Sequence, residues 1–173
     1  WIGLVGSEMC IRDRHYIGSL FGLESKVFPI KDVWHTLLPI RGFQRGFSVT
    51  SILRNIILPF RIVKSLLKTN KILKEFEPEV VIGTGGYASA IPLYMVSKKN
   101  DSTTIILQEQ NSFPGITTRL FANKANKICI AFEEPDNALG DNTVVTGNPV
   151  RKGIGDGDKR NGFHEFRFVE ENK

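Results

Sequence analysis

Three short polar clusters in this sequence carry residue types suited to binding a charged or hydroxylated ligand. The first is Gly83-Thr84-Gly85-Gly86-Tyr87-Ala88-Ser89. It follows a β-branched run at 80–82 and precedes the helical pattern of Ile91, Leu93, Met95 and Val96. A strand, a glycine turn and a helix N-terminus make an anion-binding corner, because free N–H groups and the positive end of the helix dipole point into it. Glycines there permit φ > 0 and let a ligand approach the backbone. The spacing is neither the dinucleotide fingerprint nor a P-loop. A tight turn that needs small residues is the competing reading. The second cluster is Glu109-Gln110-Asn111, and the third is Gly147-Asn148-Pro149-Val150-Arg151. Read without a ligand, Asn111 or Ser112 caps a helix with Pro114 in its first turn, and Arg151 is a surface cation after a proline turn.

The elements that must hold these clusters follow from patterning. Apolar runs at 80–82, 103–107, 127–131 and 143–146 suit strands buried on both faces. They alternate with helical segments, which predicts a parallel α/β sheet with right-handed crossovers. Ligands of such sheets bind outside the carboxyl ends of the strands. All three clusters sit at such ends, and three on one rim say more than any one alone. Upstream, 15–18 reads as a short strand, 23–28 as a short helix closed by Pro29, and 34–40 as a strand. Arg41-Gly42-Phe43-Gln44-Arg45-Gly46 is a basic loop, either solvated or meeting an anion.

At 173 residues the chain holds one domain with a real core. Its 41% hydrophobic and 24% charged residues are ordinary for a globular protein. A net charge of +5 and a pI near 9.3 suit an anionic partner. Cys10 and Cys129 make no disulfide framework, and a reducing compartment fits. His15, His35 and His164 show no ligand spacing, and no paired carboxylates sit at the three clusters, so neither a metal nor a cofactor is expected. No apolar run reaches the length of a membrane span.

From 49 to 76 the pattern is helical, and Pro59 predicts two helices, the second starting near it. Ile52, Ile56, Phe60, Val63 and Leu67 share one side. Arg54, Arg61, Lys64 and Lys68 gather on a neighbouring sector, and Leu58, Ile62 and Leu66 on a third. Two apolar stripes with a basic flank fit a helix that packs on its domain and touches a membrane surface through Ile56, Phe60, Val63, Leu67, Arg61, Lys64 and Lys68. A well-buried core helix with solvated lysines fits as well.

Taken in order, the three clusters resemble the N-terminal domain of the MurG family of N-acetylglucosaminyltransferases. The resemblance covers about 15–151 and includes Ile17-Gly18, Gly22-Leu23-Glu24 and Arg41-Gly42. It implies a Rossmann-like parallel sheet, the N-terminal half of a GT-B glycosyltransferase. It also implies an inverting transfer of GlcNAc from UDP-GlcNAc to the MurNAc O4 of lipid I, giving lipid II for peptidoglycan synthesis, cell-wall biogenesis and cell division. By the same resemblance, Gly85, Gly86 and Tyr87 face the acceptor diphosphate, while Asn111 and Arg151 reach the donor. An amide suits sugar hydroxyls, and a guanidinium pairs bidentately with a diphosphate. The implied partners are UDP-GlcNAc, lipid I and an anionic membrane surface, with no nucleic acid. The implied location is peripheral, on the cytoplasmic face of the bacterial cell membrane.

The sequence also departs from that family. Its first glycine-rich loop, ending in a His proposed as catalytic base, is absent before residue 15, so the catalytic residue is unknown. His15 does not replace it, and Gln108 stands where the family commonly has His. Residues 1–14 read as a non-native or disordered leader, 15–151 as the acceptor-side domain, and 152–173 as a linker toward an absent donor domain. The chain alone is therefore expected to be an inactive fragment. The competing functions are another lipid-acceptor GT-B transferase, such as a diacylglycerol glycosyltransferase, and a non-catalytic module that binds anionic lipid.

Overall fold

The computed structural model describes residues 13–42, 49–99, 102–133 and 139–149, with only the helical backbone described over 49–54. The leader through residue 12, Arg45, Arg151 and the expected linker lie outside the described residues.

In chain order the elements are β1 (Tyr16–Ser19), α1 (Glu24–Ile30), β2 (His35–Leu38), α2 (Val49–Phe76) and β3 (Val80–Gly83). Then come α3 (Gly86–Lys98), β4 (Thr104–Glu109), α4 (Ile116–Phe121) with a 3₁₀ turn at Ala122–Lys124, β5 (Lys127–Ile130) and β6 (Thr143–Val145). Every strand pair is parallel. The alternation of strands and helices read from the sequence is therefore the observed one.

The expected single sheet is two sheets among the described residues. β1 pairs with β2, Tyr16 opposite His35 and Ser19 opposite Leu38. The second sheet has the order β3-β4-β5-β6. What joins them is α3, which packs on both β1 and β3. Between the edges of β1 and β3 lies a cleft of about 130 Å³ lined by Ile17, Ile72, Val81, Ile82 and Leu93. The two strands do not hydrogen-bond across it.

The main core lies between the four-stranded sheet and α3. Leu93, Leu107 and Ile128 are fully buried in it, with Val96, Ile105, Ile130 and Phe121 around them. Each such side chain contributes about 1.5–3 kcal/mol by leaving water. Gly83 ends β3 beneath α3, where a Cβ would come within 2.6 Å of Leu93 Cδ1. The missing side chain lets helix and strand approach. A second core of Leu38, Ile40 and Ile91 joins β2 to α3, with Ile17 and Leu66 packed against it.

α2 is one helix, not two. Pro59 lies inside it and is exposed. Proline removes one backbone bond and its ring crowds the preceding turn, at a cost of about 3 kcal/mol. The helix runs through because its far half is anchored, with Ile72 and Leu73 buried. Pro29 likewise falls inside α1 rather than ending it, and the Lys31 N–H still bonds the Val27 carbonyl at 3.0 Å. Among the described residues no helix is long and apolar enough to cross a membrane.

Candidate functional site

The parallel strands deliver their carboxyl ends to one rim. Gly85 and Gly86 have φ of 84° and 74°, so the chain turns through left-handed backbone on leaving β3. A Cβ on either would meet nothing within 4 Å. The requirement for glycine is thus conformational, and the space above the turn is open to a ligand. α3 starts at once, and its first turn is stitched by Ser89 Oγ, which donates to the carbonyls of Gly85 and Gly86. Thr117 Oγ1 donates to the Gly86 carbonyl at 3.0 Å, tying α4 to the turn. The turn opens on a cleft of about 220 Å³ shared with Ser19, Phe21, Glu24, Ile40 and Arg41 from the ends of β1 and β2. Tyr87 is exposed, and its ring covers Gly42, where a Cβ would overlap it.

The second cluster is built on a residue whose importance the sequence reading missed. Glu109 is 3% exposed and accepts four hydrogen bonds. Its Oε1 takes the Asn111 N–H at 3.1 Å and Asn111 Nδ2 at 3.0 Å. Its Oε2 takes the Gly115 N–H at 2.9 Å and the Thr118 hydroxyl at 2.6 Å. Burial pushes its pKa up, but the bonds from Thr118, Gly115 and Asn111 together outweigh that and hold it below the usual carboxylate value. Glu109 is therefore an ionised strut, with its acceptor sites already used. It also explains a correction. α4 begins at Ile116 with Gly115 as its cap, because Glu109 draws the Gly115 N–H inward. Neither Asn111 nor Ser112 caps the helix, and Pro114 precedes it. Asn111 is instead exposed on the rim with its amide oriented by Glu109.

The third cluster reaches the second. Asn148 Nδ2 donates to the Gln110 carbonyl at 3.2 Å, and Gln108 Nε2 to the Gly147 carbonyl at 3.5 Å. The ends of β4 and β6 are thereby joined across β5. His15 sits at the opposite end of β1, bonded to Thr36 Oγ1 at 2.9 Å and packed on Trp34 and Phe76. Burial, then the neighbouring His35, lower its pKa. A cleft of about 330 Å³ also lies at that far end, beside Glu79 and Thr103, and holds none of the three clusters. Among the described residues no His, Cys, Asp and Glu gather in a metal-binding group.

On α2, Ile56, Phe60, Val63 and Leu67 are 60%, 75%, 55% and 67% exposed. Lys64 and Lys68 are exposed beside them. Arg61, placed on the flank of that face by periodicity, is half-buried. Its guanidinium lies 4.9 Å from the centroid of the Phe21 ring, and Phe21 lines the rim cleft.

Residues 3–130, roughly three-quarters of the chain, match the glycosyltransferase family 28 N-terminal domain. The chain belongs to this family. The family 28 relatives include the UDP-N-acetylglucosamine–N-acetylmuramyl-(pentapeptide) pyrophosphoryl-undecaprenol N-acetylglucosamine transferase of Flavobacterium psychrophilum. It is 42% identical over 138 residues, covering 79% of this chain and 36% of that protein. The enzyme of the same name from Amoebophilus asiaticus is 47% identical over 115 residues, 66% of this chain and 30% of that protein. The crystal structure of Acinetobacter baumannii MurG superposes with a TM-score of 0.57 at 19% identity, covering 87% of this chain and 40% of that one. The chain thus spans about a third of the curated relatives it matches. Its fold is that of the glycosyltransferase family 28 N-terminal domain, a Rossmann-like parallel α/β unit.

Proposed function

We propose that this chain is the acceptor-side half of an enzyme that moves GlcNAc from UDP-GlcNAc to the MurNAc O4 of undecaprenyl-diphosphate-linked MurNAc-pentapeptide. The carrying observation is the rim. A glycine turn opened by two positive φ angles, an amide fixed by a buried carboxylate, and the Asn148 turn lie at the carboxyl ends of β3, β4 and β6 in one parallel sheet. They do so in a chain 42% identical to a transferase with that donor and acceptor in its name.

In the proposed reaction the O4 hydroxyl attacks C1 of GlcNAc. The C1–O4 bond forms on one face as the bond from C1 to the diphosphate oxygen breaks on the other, so the anomeric centre inverts and UDP leaves with the electron pair. The Gly85–Gly86 turn and Tyr87 address the acceptor diphosphate. Asn111 offers its amide to donor hydroxyls, and Arg151 pairs with the donor diphosphate. The O4 proton passes to a base other than Glu109, whose oxygens already accept four bonds. The acceptor's polyprenyl chain stays in the bilayer, so the enzyme works peripherally on the cytoplasmic membrane face. The α2 face of Ile56, Phe60, Val63 and Leu67, with Lys64 and Lys68, is the proposed contact.

The test uses the complete protein that carries this chain, incubated with UDP-GlcNAc and a lipid I analogue. Formation of the β-linked disaccharide lipid with UDP release is the expected outcome. Transfer to diacylglycerol instead, or no transfer, would sink the proposal.

A further inference from the structure

Two arginines from distant parts of the chain meet on one aromatic ring. The Arg41 guanidinium lies 4.6 Å from the Phe21 ring centroid and that of Arg61 lies 4.9 Å from it. Arg41 follows β2, Arg61 belongs to α2, and Phe21 follows β1. Three segments therefore converge to place two cations on one aromatic ring, each half-buried. Among the described residues neither guanidinium makes an ion pair, and the one ion pair formed, Lys71–Glu75, lies elsewhere on α2. A cation gains from an aromatic face, but two cations on one ring repel each other. An anion bound beside both guanidiniums offsets that repulsion. Arg41 also lines the 220 Å³ cleft into which the Gly85–Gly86 turn opens, together with Phe21. Glu24 lines the same cleft and lies against Gly22, outside ion-pair distance of either arginine. Gly42, next to Arg41, is covered by the Tyr87 ring, so the arginine-bearing loop and the glycine turn are packed on each other.

We propose that Arg41 and Arg61, stacked on Phe21 beside the Gly85–Gly86 turn, form a guanidinium clamp for a diphosphate. The assignment rests on the acceptor-side reading above and gives that reading its charged residues. Planar guanidiniums bind phosphate oxygens bidentately, while an aromatic platform fixes their planes. The backbone N–H groups of the turn take the remaining oxygens. The neighbouring residue of α2, Phe60, is 75% exposed on the apolar face, so a lipid tail leaving the clamp meets that face directly.

The experiment titrates the 173-residue chain with inorganic pyrophosphate and with farnesyl diphosphate by calorimetry, and separately with phosphatidylglycerol vesicles. The variants are Arg41→Gln, Arg61→Gln and the pair, with Lys71→Gln as a charge-matched control on the exposed side of α2. Each single variant should weaken pyrophosphate binding roughly tenfold or more, the double variant should abolish it, and the control should bind as the wild type does. Arg41→Lys should restore part of the affinity, since charge returns without the fork. Circular dichroism checks folding, and if Arg61→Gln unfolds, Arg41→Gln in its loop carries the test. Equal binding by folded arginine variants overturns the clamp while leaving the transferase reading intact. Wild-type binding to vesicles but to neither diphosphate also overturns it, and reassigns the arginines to the lipid surface. No binding of pyrophosphate by the wild type, with no transfer by the complete enzyme, removes both.

Discussion

Replacing Glu109 by Gln tests whether the rim depends on a buried negative charge. The two side chains have nearly the same shape, so packing is preserved. The wild-type carboxylate accepts from Asn111 N–H, Asn111 Nδ2, Gly115 N–H and Thr118 Oγ1. Gln presents one oxygen and one NH₂. If the oxygen faces Asn111, the Thr118 hydroxyl can turn round and accept, but the Gly115 N–H faces another donor. If the oxygen faces Gly115, the Asn111 side chain can flip, but its backbone N–H is stranded. Either way one part-buried backbone N–H loses its acceptor, at up to about 1–3 kcal/mol, and the surviving bonds lose their charge assistance. The expected cost is about 2–4 kcal/mol, which for a chain of this size lowers Tm by roughly 5–15 °C. The sign with pH follows. The Glu109 pKa is depressed in the folded state, so its contribution is fully present above the ordinary value of 4.5 and is lost as pH falls through the folded value. Urea unfolding followed by circular dichroism at pH 7, and in steps below pH 4.5, measures both effects. A variant within about 0.5 kcal/mol of wild type at neutral pH refutes the reasoning, since that is the scatter of ordinary surface substitutions. So does a gap that fails to narrow on acidification.

Four further outcomes are expected. In the complete enzyme, Arg151→Ala should impair UDP-GlcNAc use more than acceptor use by about 1.5–3 kcal/mol, and unchanged steady-state parameters for the donor would remove the assignment. Phe60→Asp should reduce binding to anionic vesicles at every salt concentration without unfolding the chain, because Phe60 is 75% exposed, whereas Lys64→Glu should matter mainly at low salt; co-sedimentation distinguishes the two. Gly86→Ala should destabilise by about 1–2 kcal/mol with Gly86→Asn costing less, since the penalty there is conformational and not steric; equal melting temperatures would contradict this. The pKa of His15 is lowered in the fold, so its stabilising contribution should be present above 6.5 and fall away as pH drops through the folded value, and a His15 titration by NMR at or above 6.5 would rule this out.

The parts of the molecule legible in the sequence are those set by local pattern. β-branched runs mark β3 to β6, and the glycines after β3 announce the turn. The exposed stripe of α2 follows from helical spacing, and Ile56, Phe60, Val63 and Leu67 do share an exposed face. What escaped was set by partners far along the chain. Arg61 was grouped with its helical neighbours, but its guanidinium lies on Phe21, forty positions upstream. Pro59 was read as a boundary because its local cost is large, and the anchoring of Ile72 and Leu73 outweighs it. Glu109 did leave a signal. Ile105, Leu107 and Glu109 occupy one phase of β4, and all three are buried. A carboxylate in the buried phase of a strand must find donors, and the N–H groups at the next helix start are the nearest available.

α3 has a consequence for how the domain opens. It supplies Leu93 and Val96 to one core and Ile91 to the other, and Met95 packs against both. Two separate cores would ordinarily melt as two units. With one helix common to both, neither sheet can detach without stripping apolar surface from the other. The pair should behave as a single cooperative foldon, with amides of β2 and β4 exchanging with deuterium through the same global opening. The rim residues gathered at the ends of both sheets would then keep or lose their arrangement together.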